Sequence, residues 1–172
     1  MIKSDMAIGG LSTPPQLPRH IIAGNDVGRQ QVFTIEVSGN WFGIPIEKVR
    51  TVFRTSTITT VPMAPPEIAG LVNVRGEVLT AIYLAAYLGL KKSESPGSYL
   101  LVGIEHRDED FGLIINTAGD ILDIDTASRI LIPAAQSELQ RAASMPTYRV
   151  GDLLLPLLDI ETMLTTMAGR RT

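Results

Sequence analysis

Apolar and polar residues alternate over short stretches for most of this chain, the period of two that half-buried strands require. Phe33, Ile35 and Val37 alternate with Thr34 and Glu36, then Ser38, Gly39 and Asn40 supply turn chemistry before Trp41 to Ile46, which predicts a β-hairpin. Pro45 has no N–H for a ladder, so the second strand is expected at an edge or to end near it. Thr57 to Val61 is a β-branched run, predicted as a strand, and Pro62, Pro65 and Pro66 close it. Ile68 to Val74 and Glu77 to Ile82 flank Arg75-Gly76, a tight reversal in which the glycine takes positive φ without a Cβ penalty. Tyr99 to Glu105 and Phe111 to Asn116 form a further hairpin about Arg107 to Asp110, and Ile121 to Ile124 is expected to continue it. Tyr148 to Val150 and Leu153 to Leu157 read as strands around Gly151-Asp152.

Three segments have helical signals. Leu84 to Leu88 suits one or two turns ending at Gly89, Ser137 to Ala143 has helical propensity, and Asp159 is placed to cap a helix over Ile160 to Met167. Residues 1–30, rich in Gly, Pro and Ser, read as an extended or mobile leader or as an edge strand folded back. Residues 91–97 read as a polar linker and 168–172 as a tail.

Two pieces of this series recur. Phe42-Gly43-Ile44 is echoed by Phe111-Gly112-Leu113, and Arg75-Gly76-Glu77-Val78-Leu79 by Val150-Gly151-Asp152-Leu153-Leu154. The halves resemble a duplicated β-unit, although matches this short also arise by chance between hairpins.

Composition narrows the chemistry. The 172 residues suit one domain or two very small ones, and 19% charged with 45% hydrophobic residues is a globular balance. Fifteen basic against eighteen acidic residues, scattered without a stripe, argue against nucleic acid. An oligonucleotide-binding small barrel is the alternative of another class. It would need basic grooves with exposed aromatics, and Phe, Tyr and Trp together number nine. Cysteine is absent, which removes disulfides, thiol nucleophiles and Cys-ligated zinc and suits the cytoplasm. No run reaches the roughly 20 apolar residues that span a bilayer.

Motifs for enzymatic chemistry are missing. Neither G-x-x-x-x-G-K-[ST] nor G-x-G-x-x-G occurs, and neither G-x-S-x-G nor H-E-x-x-H, so no enzyme and no cofactor is expected. His20 and His106 lack partners in ligand-like spacing and read as solvated. Asp120, Asp123 and Asp125 lack the glycine turn and distal glutamate of a calcium loop and read as the polar face of a strand, so no metal is expected.

The span FTIEVSGNWFGIPIEKVRTV followed by ITTVPMAPPEIAGLVNVRGEVLTAIYL, with FGLIINTAGDILDI and GDLLLPLLDIETML in the second half, resembles the CheW-like family from about Val32 to Leu164. The most specific element is Asn73-Val74-Arg75-Gly76. The resemblance implies a mainly β fold with short helices, made of two interleaved five-stranded SH3-like barrels, the first roughly 31–90 and the second roughly 97–167. It further implies a non-enzymatic adaptor that joins chemoreceptor cytoplasmic tips to the regulatory domain of a CheA-type histidine kinase. A diverged adaptor of another chemosensory or motility kinase pathway is the second expectation. Members would be cytoplasmic and reach the membrane only through receptors.

Carried onto this chain, the resemblance nominates Arg75, Asn73, Val49, Thr51 and Leu100 as partner-binding residues. Arg75 presents fixed donors on a tight turn, suited to carboxylates or carbonyls of a helical tip, and its alternative is a solvated turn arginine. Val49 is a groove anchor or ordinary core, and periodicity does not choose. Thr51 stands where many members carry an acid, Leu100 where an apolar groove residue is common. Tyr83 replaces the Asp expected before the first short helix, and Asn116 stands where Asp is frequent. Gly43, Gly70, Gly76 and Gly112 are expected to serve the fold.

Overall fold

The alternation seen in the sequence becomes strands joined by tight reversals. The computed structural model describes residues 28–92, 97–131 and 145–169. The residues before 28 and the helix expected over 137–143 lie outside the described residues. In chain order the elements are β1 (Arg29–Val37), β2 (Asn40–Pro45), β3 (Val49–Thr55), β4 (Ile68–Val74), β5 (Glu77–Tyr83) and α1 (Leu84–Leu88). They continue with β6 (Tyr99–His106), β7 (Glu109–Ile115), β8 (Thr117–Asp125), β9 (Arg129–Ile130), β10 (Thr147–Val150), β11 (Leu153–Pro156) and α2 (Ile160–Gly169). The fold is mainly β with short helices.

Two expectations are corrected. The run from Thr57 to Val61 is no strand: it contributes one antiparallel bridge, Thr59 to Leu71, while the strand in this region is β3, just before it. A local turn intervenes, in which the Thr57 N–H donates to Thr55 Oγ1. Ile121 to Ile124 does not extend the β6–β7 hairpin. It belongs to β8, which pairs antiparallel with β1, as Leu122 opposite Val32 shows.

The strands form three sheets, ordered β2-β1-β8, β11-β10-β9 and β3-β6-β7-β5-β4. The first two are linked by the Gly43–Leu157 bridge and by the chain running from β8 into β9. Strands β1, β2 and β8 to β11 with α2 therefore make one set, and β3 to β7 with α1 the other. The recurring motifs occupy matching places in them. Gly112 of β7 lies parallel to Ala81 of β5, next to the hairpin that precedes α1; Gly43 of β2 is bridged in parallel to Leu157, after the hairpin that precedes α2.

Period two sorts each strand between cores. Phe33, Ile35 and Val37 of β1 and Val102 and Ile104 of β6 enter one central cluster that both helices also join. The opposite faces serve smaller clusters, Val32 with Leu122 and Leu155 in the first set, Leu101 with Val72 and Ala81 in the second. Thr34 is buried on the first of these faces, and its hydroxyl donates to the Asp120 carbonyl at 2.7 Å, which satisfies it.

Glu161, near the start of α2 in one set, reaches His106 in β6 of the other. It receives Lys48 Nζ at 2.6 Å and lies 3.0 Å from His106 Nδ1. His106 is 8% exposed, which corrects its reading as a solvated histidine. The Lys48 hydrogen bond holds the Glu161 carboxyl below its usual range, helped by the nearby His106.

Asp159 caps α2 as expected, accepting from the Thr162 N–H at 3.0 Å and from its hydroxyl at 2.7 Å. Those bonds lower its carboxyl pKa, so its contribution is present above the unfolded-state pKa and is lost as pH falls through the folded one. Asp159→Ala is expected to remove about 1 kcal/mol in urea unfolding at neutral pH. Asp159→Asn should keep most of the cap while flattening that part of the acid limb.

Candidate functional site

The hairpin of β4 and β5 outreaches its counterpart in the other set. Its strands have seven residues each, against four in β10 and β11. At about 3.3 Å per residue the extra length is about 10 Å. Its tip is a two-residue turn closed by Val74 opposite Glu77, with φ of 54° at Arg75 and 91° at Gly76. Both are positive, as a type I′ turn demands. The sequence signals this only at Gly76. Asn73 braces the turn, its Oδ1 accepting from the Gly76 N–H at 3.0 Å.

Arg75 is exposed, and its side chain has no hydrogen bond or ion pair among the described residues. A left-handed conformation is unfavourable for an L-residue by about 1–2 kcal/mol. An arginine held there with a free guanidinium is therefore a poor choice for stability and a good one for contact.

Beside the arm, an open hollow of about 460 Å³ is lined by Arg50, Thr51, Val52 and Phe53 of β3 on one side and Val74, Arg75, Glu77 and Leu79 on the other, with Gly103, Ile104 and Asp110 at its base. Arg50 is ion-paired with Glu105 and lies 3.7 Å from Asp110. Arg75 is thus the lining cation without a partner among the described residues, and is available to an incoming group.

Of the five residues nominated from the sequence, Asn73, Arg75 and Thr51 gather around this hollow and its arm. Val49 and Leu100 do not join them. Both are half-buried against the central cluster, at opposite ends of the β3–β6 ladder, Val49 opposite Ile104 and Leu100 opposite Arg54. Four residues along a strand separate them by about 13 Å. Sequence reasoning missed Arg50, Phe53 and Leu79. The alternation within VRTVFRT was the available signal for β3.

The family departures have local explanations. Tyr83 gives α1 no side-chain cap; instead Lys92 Nζ lies 4.0 Å from its ring centroid and donates to the Pro66 carbonyl at 3.1 Å. Burial raises the Tyr83 hydroxyl pKa, and neighbouring Tyr99 adds to it. Asn116 Oδ1 accepts from the Ser38 N–H at 2.8 Å and so supports the β1–β2 turn. No group of three potential metal-ligating side chains occurs among the described residues, and no helix there is long and apolar enough to cross a membrane.

Comparison with known proteins bears on the family and the fold. The model of the CheW-like domain matches residues 31–167. The probable chemotaxis protein CheW of Rhizobium etli is 24% identical over 136 residues, which cover 79% of this chain and 88% of that protein. The chemotaxis protein CheW of Bacillus subtilis is 27% identical over 138 residues, 78% of this chain and 86% of the relative. Among solved structures, the scaffolding protein TtCheW of Thermoanaerobacter tengcongensis superposes with a TM-score of 0.68 at 20% identity, covering 78% of this chain and 91% of its own, which establishes likeness of fold.

Proposed function

This chain belongs to the CheW-like family, and from that premise we propose that it is a non-enzymatic chemotaxis adaptor coupling chemoreceptor cytoplasmic tips to a CheA-type histidine kinase. The two strand sets are read as two five-stranded SH3-like barrels. Supporting this are the continuity of β8 into β9, the Gly43–Leu157 bridge in one set and the Thr59–Leu71 bridge in the other. The division then runs by set and not by halves of the chain. In this reading the receptor's helical hairpin lies along the groove between the barrels, near the Arg75 arm, and the kinase docks on a separate barrel surface. The protein works in the cytoplasm and joins membrane arrays through its receptor.

Arg75 is the contact residue and Asn73 its positioning residue. Thr51 borders the hollow, while Val49 and Leu100 flank the groove as apolar contacts. The observation that carries the reading is the guanidinium of Arg75, without a partner among the described residues and carried by a left-handed turn at the end of an elongated hairpin. Moderate affinity at each surface suffices, because tethering in an array raises effective concentration.

Arg75→Gly tests it with two readouts of opposite sign. Glycine suits the turn, so the variant should be more stable by about 0.5–1 kcal/mol. Capture of receptor fragments should fall about tenfold, as loss of one interface anchor does. Co-sedimentation of receptor fragment with kinase should fall with it. Unchanged capture by a folded Arg75→Gly protein would overturn the assignment.

A further inference from the structure

The hydrogen-bond parity of β3 and β4 reveals a second kind of binding edge. The Thr59 N–H donates to the Leu71 carbonyl at 2.9 Å and the Leu71 N–H to the Thr59 carbonyl at 2.8 Å, so Leu71 turns both groups away from β5. Strand residues alternate in this respect, and Asn73 must do the same. Yet beyond Thr59 the chain bends off through Thr55 and Thr57, and the outward N–H and C=O of Asn73 meet no described partner.

The same reasoning fixes β3. The β6–β7 hairpin closes on His106 opposite Glu109, so Ile104 and Val102 bond β7, leaving Gly103 and Leu101 to bond β3. Their partners there are Thr51 and Phe53. Val52 and Arg54 therefore point their amides and carbonyls away from β6. Since β3 and β4 are the two edges of their sheet, the strands splay from the Thr59–Leu71 bridge around the hollow, leaving the outward groups of Val52, Arg54 and Asn73 without a backbone partner among the described residues.

We propose that this split receives an extended segment of a partner protein, which adds as a strand to the free edge of β3. A helix cannot use such an edge because its own backbone groups are already bonded to one another; an extended chain can. Alternate apolar side chains of the segment would meet Phe53 and Leu79 in the hollow. A carboxylate at one end would meet Arg75, the lining cation without an ion pair among the described residues. This contact goes beyond the helical one proposed above and does not rest on it.

The probe is a blocked hexapeptide, Asp-Thr-Val-Thr-Val-Thr, titrated to millimolar concentration against the full chain with residue-resolved amide exchange as the readout. The amides of Val52, Arg54 and Asn73 should slow about tenfold, while those of Thr51 and Phe53, already in the ladder, should not change. Val52→Pro removes one outward N–H and leaves the β3–β6 bonds intact, so the folded variant should lose the effect. Arg75→Glu should weaken it about tenfold. The peptide N-methylated at alternate residues, tested on the unaltered protein, should not protect, which keeps the test decisive should Val52→Pro fail to fold. The proposal is overturned by no slowing at those three amides, by equal protection from the N-methylated peptide, or by equal protection from a stapled helical peptide.

Discussion

Gly70→Ala is expected to destabilise the protein by about 3–5 kcal/mol, among the largest effects available to a single methyl group. Gly70 has φ of 146°, and a Cβ there would overlap the Thr59 carbonyl oxygen and lie 2.8 Å from its carbon. The obstacle is backbone already committed to the Leu71 bridge, so it cannot swing aside as a side chain would. Thermal unfolding should shift down by about 10 °C at 2–4 °C per kcal/mol. Gly76→Ala is the control: φ is 91° but nothing lies within 4 Å, so only the conformational term remains, about 1 kcal/mol. Equal losses in the two variants would show that the close approach at Thr59 has no energetic weight.

Phe42→Ala should lose about 3–5 kcal/mol for a different reason, the transfer and cavity terms of a fully buried ring. Phe42 is 0% exposed and sits in the central cluster where side chains of both strand sets and both helices meet. A void there weakens both sets at once, so a single cooperative transition should move as a whole, with amides of β1 and β6 losing protection together. Met63→Ala, at a side chain 101% exposed, should change stability by less than about 0.5 kcal/mol. Two separate transitions in Phe42→Ala would show that the sets unfold independently.

The hairpins with strong local turn chemistry were legible: Ser38-Gly39, Arg75-Gly76 and Gly151-Asp152 all turn where the sequence places them, and Gly89 ends α1 in the left-handed region. Strand β3 was not. Its exposed face carries Arg50, Val52 and Arg54, so burial gives little contrast, whereas Thr57 to Val61 has the higher β propensity but no partner beyond Thr59. Propensity describes fitness for a half-buried pleat, and pairing decides whether that pleat exists. Long-range placement was equally invisible. Nothing near His106 announces Glu161, and no local pattern sends β8 across to β1. The candidate site divides along the same line, since the tight turn is local while the hollow is assembled from β3 and the β4–β5 arm.

The pairing of β1 with β8 also constrains the order of biosynthesis. β1 and β2 leave the ribosome first, but the strand that completes their sheet spans residues 117–125. At about 5–20 residues per second, that wait lasts several seconds. Meanwhile Val32 lacks the Leu122 and Ile124 of β8 that cover it, which makes the early nascent chain a natural client for a holding chaperone.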